Sequence, residues 1–188
     1  MAILRFSDFF YIGKGNNQKI YFHLNSPHKC IKINYSGQNR EQVEDPKIYY
    51  RLQKSNIDWT HLAKFYGECE TNLGVGLIFK LIKDYDGTVA KTLNEYFRSN
   101  YINFKDPYLK TQLSILRQFL LKQCVVVRDL SENNILAQYF NKNQYRLVVI
   151  DGLGHNEFIP IFTLSKTLTR MKIERRWNKA IEILKDRF

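Results

Sequence analysis

VVVRDLSENNIL, residues 125–136, decides how the rest of the chain is read. Three β-branched valines predict a buried strand. Arg128 and Asp129 follow, then a polar run through Ser131, Glu132, Asn133 and Asn134, and the chain becomes apolar again at Ile135. A strand, a turn and a second strand would account for this pattern, because Asp and Asn bond readily to their own backbone. A loop that presents Asp129 and Asn134 to one cleft accounts for it equally well. That second reading has demands elsewhere in the chain: a metal-binding carboxylate, a phosphate-contacting lysine and a glycine-rich turn.

Each demand has a candidate. Downstream, LVVIDGLG (147–154) is an apolar run that ends in Asp151 and Gly152, about one hairpin beyond Asp129. A carboxylate there can bridge Mg²⁺ to nucleotide phosphates, with Asn134 as a second metal ligand and Asp129 accepting or orienting a hydroxyl proton. Upstream, KCIKI (29–33) sets Lys32 between two isoleucines, so on a strand it points away from its apolar neighbours. Such a lysine suits contact with α- and β-phosphates and requires a carboxylate partner, for which Glu44 is the candidate, with Glu41 and Asp45 behind it. Earlier still, GKGNNQKI (13–20) offers Gly13 and Gly15, small enough to let the backbone approach phosphates, while Gln18 stands where a third glycine is expected. Taken singly, a hairpin turn, a solvent-facing lysine or an Asn-rich loop would explain each of these. Their order and spacing together resemble the protein-kinase layout.

The surrounding sequence fits that organisation. The first third reads as short strands: two aromatic and β-branched runs around the Gly-Asn turn, HKCIKINY, and a hairpin in KFYGECETNLGVGLIFKLI with its turn at Asn72 to Gly76. One helix interrupts them, with Asp45 as cap, Pro46 in the first turn, and Ile48, Tyr49 and Leu52 on one face. Beyond KDYDG (83–87) the period changes. Thr92 caps a short helix carrying Leu93, Tyr96 and Phe97, and Pro107 opens a longer one with Leu109, Leu113, Leu116 and Leu120 in helical register. A basic helix from about Thr167 to Phe188 is predicted to bury Leu168, Met171, Trp177, Ile181 and Leu184. The expected fold is therefore α+β: a β-rich lobe at 1–82, a hinge at 83–87, and a reduced helical lobe at 88–188.

Composition narrows the function. Among 188 residues, 44% are hydrophobic and 25% charged, as in a globular protein. No apolar run approaches the ~20 residues of a membrane span, and MAILRFSDFFYIGKG lacks the apolar core and cleavage site of a secretory signal. Three widely spaced cysteines point to reduced thiols and a cytoplasmic setting rather than a disulfide framework or a zinc site. The net charge of +11 favours anionic partners. With no zinc-finger spacing and no RNA-recognition signature, no specific nucleic acid is expected.

Beyond the kinase motifs, YYRLQKSNIDWTHLAKFYGECETNLGVGLIFKLIKDYDG (49–87) resembles the most characteristic segment of the YrbL family, the PhoP-regulatory-network proteins of bacteria. The resemblance extends from about Gly13 to Gly154. It implies a protein-kinase-like fold distantly related to lipopolysaccharide and aminoglycoside kinases, with ATP, Mg²⁺ and a hydroxyl acceptor. By the same analogy Phe79 borders the adenine pocket, and the backbone of Lys80 and Ile82 meets the purine edge. Val127 replaces the usual histidine, no Phe follows Asp151, and no Ala-Pro-Glu motif appears later. The short remainder argues against a protein-docking platform and for a small or glycan acceptor. Lys166, Arg170, Lys172, Arg175, Arg176 and Lys179 form a basic face that would draw an anionic one. The rival expectation is a nucleotide-binding pseudokinase with a scaffold role.

Overall fold

The computed structural model describes residues 3–7, 10–15, 18–34, 46–153 and 165–187. They fall into two compact units: Met1–Ile57 with Ala63–Ile82, and Asp58–Leu62 with Lys83–Phe188. The fold is α+β. The sequence division lies at 83–87; the short stretch 58–62, which belongs to the second unit, has no counterpart in that reading.

The first unit is a five-stranded antiparallel sheet in the order β1-β2-β3-β5-β4. Its strands are β1 (Tyr11–Lys14), β2 (Gln18–His23), β3 (Ser26–Asn34), β4 (Phe65–Thr71) and β5 (Gly74–Lys80), with helix α1 (Pro46–Lys54) between β3 and β4. Alternation on β3 sends Ile31 and Ile33 to one face, where they join Phe6 and Tyr21 in a core cluster. Lys32 goes to the opposite face, towards Phe79, which packs against Tyr49 of α1 and Phe65 of β4. The β4–β5 turn holds only Asn72 and Leu73, so Gly76 lies inside β5 rather than in the turn. A Cβ there would meet the Ile31 side chain at 2.5 Å, and glycine is what allows that isoleucine to cross the strand.

The second unit combines a three-stranded sheet, β6 (Lys91–Thr92), β7 (Ile135–Tyr139) and β8 (Tyr145–Val149), with α2 (Leu93–Arg98), α3 (Pro107–Gln123) and α4 (Lys166–Arg187). Thr92 and Glu95 form a reciprocal capping box on α2. Asp106 caps α3 ahead of Pro107, and Cys124 ends it in a left-handed conformation. Leu109, Leu113, Leu116 and Leu120 are all buried, as their spacing predicts. The stretch 58–62 docks on β8: the Val149 N–H donates to the His61 carbonyl at 2.9 Å, and His61 Nδ1 lies 2.7 Å from the Leu147 carbonyl. The KDYDG turn is held here too, with the Asp84 carboxylate accepting the Tyr139 N–H at 2.8 Å.

Two expectations change. Val125, Val126 and Val127 are buried but form no strand; Val127 alone makes a single bridge, to Leu153. The Val125 N–H turns back to the Leu120 carbonyl and so extends the end of α3. On α4 the buried residues are Thr169, Ile173, Trp177 and Leu184, whereas Leu168 and Met171 stand 50% and 63% exposed. These four recur at helical spacing on one face, and Leu168 and Met171 lie off it.

Candidate active site

In the second unit Asp129, Asn134 and Asp151 are brought together by the backbone. The Ser131 N–H donates to Asp129 Oδ1 at 3.1 Å, and the Asn134 N–H donates to the Ser131 carbonyl at 3.0 Å, curling the loop. Asn134 Nδ2 donates to Asp129 Oδ2 at 2.8 Å and to its carbonyl at 3.2 Å. With its amide nitrogen held there, Asn134 keeps Oδ1 as a separate oxygen donor. The Asn134 carbonyl accepts the Ile150 N–H at 2.9 Å, which locks the loop to the end of β8 one residue before Asp151. The Arg128 N–H donates to the Gly152 carbonyl, completing a second tie between the two segments.

Gly152 is why they can lie so close. Its φ is +76°, and a Cβ would fall 2.7 Å from the Asp129 carbonyl oxygen. Glycine at 152 is therefore required by geometry at this spot, and the Gly152 N–H also donates to Asp151 Oδ1 at 2.6 Å. Asp129 is exposed, and Asn134 and Asp151 are half-buried. The opening motif is neither strand nor simple turn but a loop that presents two side chains beside a third.

In the first unit, Lys32 is 5% exposed with Nζ 4.8 Å from the centre of the Phe79 ring. Phe79 itself is 1% exposed, a core residue behind the lysine rather than an open pocket wall. The Lys80 N–H donates to the Lys64 carbonyl at 2.8 Å, so that donor is committed within the sheet. Gly13 and Gly15 follow a different logic from Gly152. Among the described residues nothing lies within 4 Å of a Cβ built at either, so neither packing nor a positive φ calls for glycine. Gly15 N–H closes the hairpin on the Gln18 carbonyl at 2.8 Å, and Gln18 is buried. Glu44, proposed as the partner of Lys32, lies outside the described residues, as do Glu41 and Asp45.

Sequence reasoning missed the supports of the loop. Glu132, at its middle, is buried to 4% exposure and pairs with Arg187 of α4 at 2.8 Å. The Glu132 carbonyl accepts the Asn94 N–H at 3.1 Å, and Asn94 Nδ2 donates to Asn133 Oδ1 at 2.8 Å. The basic face of α4 also changes character. Arg176 Nη1 reaches the Val127 carbonyl and Arg170 Nε the Leu121 carbonyl, each at 3.4 Å. Lys166, Arg175 and Lys179 remain exposed. A charged residue inside a polar loop carries no signal of burial; only its distant partner reveals it.

The family model described as PhoP regulatory network protein YrbL matches residues 4–185. The chain belongs to the YrbL family. The YrbL protein of Escherichia coli (strain K12) is 30% identical over 182 residues, covering 95% of this chain and 87% of that relative. YrbL of Shigella flexneri matches to the same extent. The span shared with the YrbL family takes in both units, from the first core cluster to the last turns of α4. Among the described residues, no helix is long and apolar enough to cross a membrane.

Proposed function

We propose that the chain is a protein-kinase-like phosphotransferase that moves the γ-phosphate of Mg-ATP to a hydroxyl of a small molecule or glycan in the cytoplasm. The observation that supports this most is the closeness of Asp129 and Asn134, joined through their side chains, to the segment that carries Asp151, which backbone bonds tie to their loop. The donor set suits magnesium: one carboxylate and one amide oxygen are hard ligands, too few for a protein-only cage. Asn134 and Asp151 would hold that ion. When bound, Mg²⁺ would supply neutralisation of charge on the transferring phosphate.

The remaining roles belong to the chain's own groups. Asp129 Oδ2 would take or orient the proton of the acceptor hydroxyl, and the Asn134 amide bond fixes the direction of that carboxylate. Lys32, desolvated against Phe79, would contact the α- and β-phosphates. Among the described residues nothing crowds a Cβ position at Gly13 or Gly15, which supports close approach by phosphate oxygens. Exposed Lys166, Arg175 and Lys179 would favour an anionic acceptor through a screened, long-range attraction.

A second reading, a nucleotide-binding pseudokinase, is favoured by buried Gln18 at the third glycine position. One experiment separates the two. Asp129→Asn is expected to leave Mg-ATP affinity within about threefold and to lower phosphoryl transfer by roughly 10²-fold or more, the scale of general acid–base catalysis. Calorimetry and an ATP-turnover assay read both quantities. Equal turnover in wild type and variant would favour the pseudokinase, and absence of Mg-ATP binding at millimolar concentration would end both readings.

A further inference from the structure

Two arginines of α4 grip the loop that carries Asp129 and Asn134. Arg176 donates to the carbonyl of Val127, two residues before Asp129, and Arg187 pairs with Glu132, between Asp129 and Asn134. Glu132 is the more informative contact. Its side chain is almost wholly inside the protein, Oε1 takes the Arg187 Nη1 hydrogen bond, and Oε2 has no hydrogen-bond partner among the described residues. A buried carboxylate is stable only when paired and hydrogen-bonded, and among the described residues this one has the guanidinium of Arg187 as its ionic partner. Glu132 also cannot swing outward without cost to the other side of the loop. Its carbonyl holds the Asn94 N–H at the start of α2, and neighbouring Asn133 holds the Asn94 amide. The loop is thus fixed between α2 and α4, on supports other than the side chains that would do chemistry.

We infer that Arg187, acting through Glu132, is a positioning residue for the Asp129–Asn134 loop, so that the last turn of α4 sets the geometry of the site. This inference rests on the phosphotransferase reading for its catalytic consequence, although its structural part does not. When Arg187 is lost, Glu132 must either lose its charge or rotate towards water, and rotation pulls on the bonds from Ser131 and Asn134 that orient Asp129. Arg187 touches none of the proposed reacting groups, so its effect would pass entirely through the loop.

The test uses the full-length chain with Arg187→Ala, Arg187→Lys and Glu132→Gln. Hydrogen exchange is followed at the amides of Ser131 to Asn134, with the buried centre of α3 as the internal reference. Arg187→Ala should speed loop exchange by about tenfold or more, a local opening that leaves α3 unchanged, and Arg187→Lys should restore much of the protection. In Arg187→Ala the Mg²⁺-dependent gain in ATP affinity, or kcat, should fall about tenfold, as for outer partners of a metal site, with much of it regained in Arg187→Lys, while ATP affinity without metal stays within about twofold. Glu132→Gln keeps the shape of the pair without its charge and should reproduce the loop effect if Arg187→Ala proves too unstable to measure. Unchanged loop exchange, or equal acceleration in the loop and α3, would overturn the inference. Should wild type bind no Mg-ATP, the phosphotransferase reading fails, and the exchange measurement still decides whether the pair positions the loop.

Discussion

The closeness of Asp129, Asn134 and Asp151 was legible because it follows from local spacing: a short loop, then a hairpin that returns the chain to its start. Gly152 shows how tightly that return is made. Its positive φ disfavours any side chain, and the space a methyl would need is filled by the Asp129 backbone. Gly152→Ala is expected to lower stability by more than about 1 kcal/mol, since alanine is strained at such a φ before any clash is counted. Denaturant midpoints measure this, and a cost below a few tenths would mean the two segments are not so close. Glu132 and Arg187 were not legible. Fifty-five residues separate them, and neither has a neighbour that marks it as buried. Spacing reports on local geometry and is silent about pairs that only the folded chain brings together.

Helical elements were read best where apolar residues repeat strictly, as in α3, where Leu109, Leu113, Leu116 and Leu120 all face inward. The basic α4 was misread at its first turns, because apolar residues off the buried face break the pattern there. Trp177→Ala should cost about 3–5 kcal/mol, the usual range for removing a buried aromatic. Met171→Ala, at an exposed position, should stay within about 0.5 kcal/mol. Urea melts of the two variants check the corrected face of the helix, and similar losses would contradict it. The valines at 125–127 failed for another reason: β-branched residues favour strands, but here burial behind a helix end accounts for them. A tyrosine network gives a further test. Tyr96, Tyr139 and Tyr145 form a chain of ring contacts at 5.7 and 5.1 Å. Burial, aided by the charge of Asp84, pushes Tyr96 up to about 12. Burial also raises Tyr139 and Tyr145, assisted by Tyr96 and Asp106 respectively. These phenols favour the neutral form in the folded state. Their contribution is intact below pH of about 10, where unfolded tyrosine begins to ionise, and is lost as pH rises towards and through the raised folded values. Stability measured by urea melts at stepped pH should fall above pH of about 10, less steeply in Tyr96→Phe.

At the scale of the whole molecule, the β-rich beginning and helical continuation were readable from the change in hydrophobic period near KDYDG. Mg-ATP binding to the folded state should add about 2.7 kcal/mol of stability at a hundredfold excess over Kd. A thermal melt with and without Mg²⁺ measures it, and Asp151→Asn should remove most of the metal-dependent share. The docking of the stretch 58–62 escaped notice because it is short, lacks periodicity, and meets β8 through a few bonds at His61 and Leu62. It means that the chain passes between its two units three times, after Ile57, after Leu62 and after Ile82. A peptide-bond cut within 83–87 therefore yields two pieces that are interlaced rather than merely adjacent. The first piece keeps His61 and Leu62, whose backbone is stitched to Val149 of the second. Cleavage at a protease site inserted after Gly87 should leave a nicked protein that elutes as one particle under native conditions and separates only in denaturant. Expressed alone, the second piece should lack the backbone partner of Val149 and fold less well than it does when the first is supplied in trans.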